Sequence, residues 1–100
     1  MSRSKLRIYT IEDGRMDDFL AAWTAGVVPL RHRFGFEVEA WTVPGEHVVV
    51  WVLTHVGDGS FEDAERAYYD SPERHALDPD PGQWVLAKDD RWLDPIDIGQ

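Results

Sequence analysis

Six consecutive residues, Val48-Val49-Val50-Trp51-Val52-Leu53, constrain this chain more than any other stretch. β-Branched and aromatic side chains favour extended backbone, and the run is far short of the roughly 20 residues that a membrane-spanning helix needs. A strand sends alternate side chains to opposite faces, so this one is apolar on both. Strands that face water on one side alternate apolar and polar residues; a doubly apolar strand expects cover above and below. One hundred residues form a single domain, 1–100, with few helices to provide that cover. A second copy of the chain is the economical source of the missing layer.

The neighbouring segments supply the rest of a sheet. Lys5 to Ile11 reads as a first strand, with Leu6, Ile8 and Thr10 on one face and Arg7, Tyr9 and Ile11 on the other. After the break at Glu12-Asp13-Gly14, residues Met16, Phe19, Leu20, Trp23, Val27 and Leu30 recur at helical spacing. Asp13, Asp17 and Asp18 at the start and Arg31, His32 and Arg33 at the end suit the helix dipole. Pro29 inside this pattern predicts a kink or a loosened last turn, and Gly35 the stop. Phe36–Val43 and His47–His55 read as an antiparallel hairpin about the turn Pro44-Gly45-Glu46. Ser60 with Asp63 three residues on predicts a capped helix through Tyr69, and Ser71-Pro72 a short one to about Leu77. Trp84 to Ala87 reads as a fourth strand that Arg91-Trp92-Leu93 resumes beyond Lys88-Asp89-Asp90. The order β-α-β-β-α-β is that of an α+β, ferredoxin-like antiparallel sheet with its helices on one face. Two such sheets packed face to face form a dimeric α+β barrel, and a homodimer is expected.

Charge and missing residue types narrow the chemistry. Ten Lys and Arg against 19 Asp and Glu leave a net charge of −9, which repels nucleic-acid phosphates and anionic membrane surfaces. The absence of cysteine removes disulfides, thiolate nucleophiles and Cys-ligated metals. Met1-Ser2-Arg3-Ser4-Lys5 is not the apolar stretch of a secretory leader, so a cytoplasmic protein is expected. His32, His47, His55 and His75 are 15, 8 and 20 residues apart, without metal-ligand spacing. The glycines form no phosphate loop or dinucleotide fingerprint, so neither a metal nor a nucleotide cofactor is expected. His47, Val49, Trp51, Leu53 and His55 share one face of the third strand, where an imidazole could serve as a base. Trp23 and Trp51 fall in the core by position, and Trp41, Trp84 and Trp92 are expected to pack across a dimer interface. Flat aromatic walls of this kind also suit a planar ligand.

Several motifs in order resemble the NIPSNAP-type domains of the dimeric α/β-barrel superfamily. They are Leu6-Arg7-x-Tyr9 followed by Gly14, Phe19-x-x-x-Trp23, Trp41-x-x-x-Gly45 with Trp51, Tyr69-x-Ser71-Pro72, and Arg91-x-Leu93-x-Pro95. The resemblance runs from Leu6 to Pro95 and implies a ferredoxin-like dimer with a ligand cleft between sheet and helices. That superfamily includes antibiotic-biosynthesis monooxygenases, polyketide cyclases and heme-degrading enzymes, so an aromatic or polyketide-like ligand is implied. In an enzyme of this kind Arg7 would stabilise an enolate and Tyr9 or His55 would move a proton, with Trp23 and Trp51 lining the ligand. Such chemistry needs no cofactor. Heme binding is a minor alternative: Arg7 and His55 stand where the heme-degrading relatives carry Asn and Trp, and His75 is closer to Ser71 than their axial ligand is. A non-catalytic structural or ligand-binding dimer is the competing reading.

Overall fold

The computed structural model describes residues 3–99; Met1 and Ser2, and with them the start of the leader reading, lie outside the described residues. Strand β1 (Arg3–Ile11) leads into helix α1 (Met16–Ala22), a π turn (Trp23–Val27) and helix α2 (Val28–Arg33). Strands β2 (Phe36–Thr42) and β3 (Val48–His55) form the hairpin. Helices α3 (Phe61–Asp70) and α4 (Pro72–His75), a 3-10 turn (Pro81–Trp84) and strand β4 (Val85–Leu93) complete the chain. The sheet order is β2-β3-β1-β4, and each neighbouring pair is antiparallel. This is the ferredoxin-like arrangement expected from the element order.

Register decides which residues meet. Arg7 lies opposite Trp51 of β3 and Asp90 of β4, and Tyr9 opposite Val49 and Lys88. These side chains share the helix-covered face, where Arg7, Tyr9, Ile11, Val49, Trp51, Leu53 and His55 are all buried. Burying side chains as large as Trp51 and Leu53 stabilises the fold by roughly 1.5–3 kcal/mol each. The other face carries Leu6, Ile8, Val48, Val50 and Val52, half-buried by their own neighbours, and among the described residues no helix lies over them. Trp41, 55% exposed, stands on this open face opposite Val50. Cover on both faces of β3 is therefore met on one side only within a single chain.

The anticipated disturbance at Pro29 takes the form of the π turn ahead of it. Val28 N–H reaches back five residues to the Trp23 carbonyl, which widens the turn. Pro29 has no N–H to donate and its ring needs room at the carbonyl of Ala25, so a widened turn relieves both demands. Ser60 and Ser71 cap α3 and α4 by accepting from the N–H groups of Asp63 and Arg74 at 3.0 and 3.1 Å. Gly35 ends α2 at φ +89°, and its carbonyl accepts from Val56 and Gly57. A Cβ on Gly35 would lie 3.3 Å from the Gly57 Cα, a crowded approach that adds to the strain of a side chain at positive φ.

Three expectations need correction. β4 is continuous through Lys88-Asp89-Asp90, because an edge strand accepts charges whose side chains reach solvent or a partner. Trp84 belongs to the 3-10 turn, where the Arg15 guanidinium lies 5.7 Å from its ring, rather than to a strand. Trp92 lies beside Lys5 on the helix side and packs edge-on to Phe61, so of these later tryptophans only Trp41 is on the open face. Among the described residues no helix is long and apolar enough to cross a membrane.

Candidate functional site

Between the sheet and the helices lies a cavity of about 30 Å³, room for a water molecule. Its walls include Tyr9 and Trp51 from the sheet, Trp23 and Arg31 from the first helical segment, and Tyr68 and Tyr69 from α3. Arg74 and Lys88 add positive charge at its border. The π turn matters here. Trp23, Val27 and Arg31 follow one another at intervals of four, and all three are buried, so the same stripe that builds the core delivers a guanidinium into it.

The centre of the site is the Tyr69 hydroxyl. Its oxygen accepts from Arg7 Nη1 at 3.1 Å and from Arg31 Nη2 at 3.0 Å. Both arginines are nearly sealed from water, at 5% and 1% exposure, yet their surroundings differ. Arg7 Nε donates to Asp90 Oδ1 at 3.1 Å across the β1–β4 pair. Arg31 has no carboxylate partner among the described residues; it stacks on the Tyr68 ring at 3.8 Å and leaves Nε and Nη1 without acceptors. Trp23 Nε1 and Trp51 Nε1 are likewise buried donors without acceptors. Arg74 Nε is a fifth; buried N–H groups normally find partners, and five on four residues lining one cavity are an electropositive, acceptor-poor surface.

Electrostatics separates the three tyrosines. Burial pushes the Tyr9 phenol well above its ordinary range, despite the opposing pull of Arg7. Tyr68 is raised for the same first reason, against the pull of Arg31 and Arg74. Burial would raise Tyr69 too, but Arg7, Arg31 and the hydrogen bond from Arg7 outweigh it and bring this phenol below its ordinary value. Arg7 is held firmly in its charged form: burial disfavours the cation, and Tyr9, Tyr69 and Asp90 more than compensate.

Four of the five residues expected at the site are gathered here. Tyr9, Trp23 and Trp51 line the cavity and meet edge to face, with Trp51 5.6 Å from Tyr9 and 5.3 Å from Trp23. Arg7 adjoins them through Tyr69. His55 does not join them. It lies four residues along β3 from Trp51, buried against Phe36 and Phe61, with Nε2 unpartnered and no place on the cavity wall. His75 is exposed and its Nε2 meets the Tyr69 carbonyl at 2.8 Å. His47 is exposed beside Asp13 at 3.4 Å. Sequence reasoning missed Arg31, which it assigned to the helix dipole although the residue continues the Trp23–Val27 spacing. It also passed over Tyr69, whose sole signal was its position just before the Ser71-Pro72 step.

No protein-family model matches the sequence, and no curated protein matches it. Solved structures do. An uncharacterized NIPSNAP domain protein from Burkholderia xenovorans superposes with a TM-score of 0.82 at 16% identity, covering 100% of this chain and 99% of that one. A NIPSNAP family protein of unknown function from Agrobacterium tumefaciens reaches 0.84 at 10% identity, over 98% and 91% of the two chains. An inferred antibiotic biosynthesis monooxygenase from Chloroflexus aurantiacus reaches 0.72 at 10% identity, over 96% and 94%. The fold is that of a NIPSNAP-type ferredoxin-like domain.

Proposed function

We propose that this protein binds a small organic anion with an aromatic or polyketide-like body in the crevice between sheet and helices. The observation that carries the reading is Arg31, a buried guanidinium with two donor nitrogens unpartnered and no carboxylate to neutralise it. A carboxylate, phenolate or enolate oxygen would complete it by charge-assisted hydrogen bonds, while Trp23, Trp51 and Tyr9 supply flat apolar contact. At about 30 Å³ the cavity must widen to admit such a ligand. Tyr69, 36% exposed, is the wall residue nearest solvent among these aromatics. Two structural neighbours are inferred antibiotic biosynthesis monooxygenases. That assignment supports a monooxygenase reading of this chain, and the sequence resemblance adds enolate chemistry without a cofactor, either oxygenation by O2 or cyclisation.

The test is a tryptophan-fluorescence titration with 2-naphthoate and its neutral methyl ester. Binding of the acid, lost in Arg31→Met and much weaker for the ester, is expected. Equal binding of both, or of neither, refutes the anion site. A purely structural dimer is the second reading, favoured by how completely aromatic side chains fill the crevice.

The reading includes a second copy of the chain on the open face. Leu6, Ile8, Val50, Val52 and the exposed Trp41 form an apolar surface that no described element of the same chain covers. It also places the protein in the cytoplasm, a setting that a cysteine-free, acidic chain fits without disulfides.

A further inference from the structure

We propose that Tyr69 is the residue that moves a proton in this crevice, its hydroxyl oxygen taking the proton from an acidic carbon of the bound anion. The inference rests on the anion site proposed above and replaces Tyr9 and His55 in that role. Both hydrogen bonds at the Tyr69 oxygen are accepted ones, from Arg7 and Arg31, and no protein group among the described residues accepts its O–H. An oxygen that receives two charge-assisted donors and gives its proton to nothing is arranged for the phenolate. The groups around it are Arg7 and Tyr9 from β1, Arg31 from α2, Arg74 from α4, and Tyr68 and Glu65 on its own helix. Glu65 opposes ionisation, but its effect is smaller than that of either arginine. As a residue Tyr69 is also 36% exposed, against 6% for Tyr9. Tyr9 makes no comparable contact and its burial favours the neutral phenol. His55 is walled off by Phe36 and Phe61.

The step balances without an oxidant. As the ligand C–H bond breaks, the Tyr69 oxygen forms the O–H bond. The C–H pair becomes the enolate C=C, and the carbonyl π pair moves to oxygen, where the free donors of Arg31 can hold it. The reverse transfer returns the proton to carbon.

The experiment uses phenylpyruvate, which carries a carboxylate, a ring and an acidic CH2 group. Binding is followed by tryptophan fluorescence and deuterium entry at the CH2 by proton NMR in D2O. The wild type is expected to bind it and to accelerate exchange, with a rate that rises with pH through an apparent pKa below the ordinary phenol value. Tyr69→Phe is expected to bind within about threefold of wild type while exchange falls at least about 100-fold, the usual scale for a lost general base. Exchange that persists in Tyr69→Phe, or wild-type binding without accelerated exchange, overturns the assignment and leaves the anion site standing. Failure of the wild type to bind refutes the anion site and this role with it. Should Tyr69→Phe fail to fold, the wild type alone decides. Its absorbance at 295 nm must show one tyrosine ionising in step with the exchange profile, and no such step overturns the proposal.

Discussion

Arg31→Met tests whether the buried guanidinium serves the fold or a ligand. The substitution removes one charge-assisted hydrogen bond, from Nη2 to Tyr69, worth about 1.5–3 kcal/mol. It also removes the stacking on Tyr68 at 3.8 Å, worth about 0.5–2 kcal/mol. Against these losses stands the relief of two buried donors without acceptors, Nε and Nη1, at about 1–3 kcal/mol each. Tyr69 keeps its bond from Arg7, so no new orphan is created, and the unbranched Met chain can follow the path of the arginine stem. Gains and losses nearly cancel, and stability is expected to change by no more than about 1 kcal/mol, a Tm shift within about 4–8 °C for a domain of this size. Urea unfolding followed by tryptophan fluorescence measures it, provided that the slope m is unchanged. Breaking a buried, carboxylate-paired arginine costs about 3–5 kcal/mol instead. A loss of that size would refute the argument, because it would mean that Arg31 is satisfied in the folded protein by a partner that holds the fold together.

Three further outcomes follow from the same geometry. Trp41→Glu on the open face is expected to convert a dimer into a monomer by light scattering, with little change in unfolding of the isolated chain because Trp41 is 55% exposed; a wild type already monomeric at micromolar concentration sinks the two-sheet reading. With rising pH, absorbance at 295 nm should show Tyr69 ionising first. Its depressed folded pKa adds stability that is complete above the ordinary phenol value of 10.0 and is lost as pH falls through the folded value. Tyr9 and Tyr68 have the opposite sign: their contribution is complete below 10.0 and is lost as pH rises through their elevated values, so they drive alkaline unfolding. Gly35→Ala should cost about 1–2 kcal/mol in urea unfolding, since it forces a side chain into φ +89° and against Gly57; an unchanged midpoint would mean that this corner relaxes freely.

Much of the fold is legible because local and long-range demands agree. The alternation in β1 sorts Arg7, Tyr9 and Ile11 onto the buried face without knowledge of any partner strand. Ser60 and Ser71 act as caps because a side-chain oxygen is needed where helical N–H groups lack carbonyls. β4 was harder to read. Asp89 and Asp90 are poor strand formers, and only the edge position and the facing Arg7 make Asp90 favourable there. The site was half legible for a related reason. Periodicity finds apolar residues, and it discards a charged residue at an apolar position as belonging to the helix end. Arg31 was assigned that way, although its neighbours His32 and Arg33 are the exposed ones. Tyr69 could not be found at all by local reasoning, because its meaning depends on two guanidiniums 62 and 38 residues away in the chain.

The contrast between the two arginines sharpens what the crevice is for. Arg7 is a completed interaction: Asp90 neutralises it, Tyr69 accepts from it, and the β1–β4 register holds all three in line. Removing it would cost Asp90 its partner across the β1–β4 pair, so conformational order is a sufficient reason for it to be there. Arg31 is only partly completed: it donates to Tyr69 and stacks on Tyr68, but Nε and Nη1 are left over, and buried donors without acceptors are unfavourable in any fold. If the proposed anion site holds, the enolate-holding role that the family resemblance implies for Arg7 would pass to Arg31, which keeps two donors free. Arg7 would then fix the Tyr69 oxygen in place, and Arg31 would divide its donors between that oxygen and the anion of the proposed site.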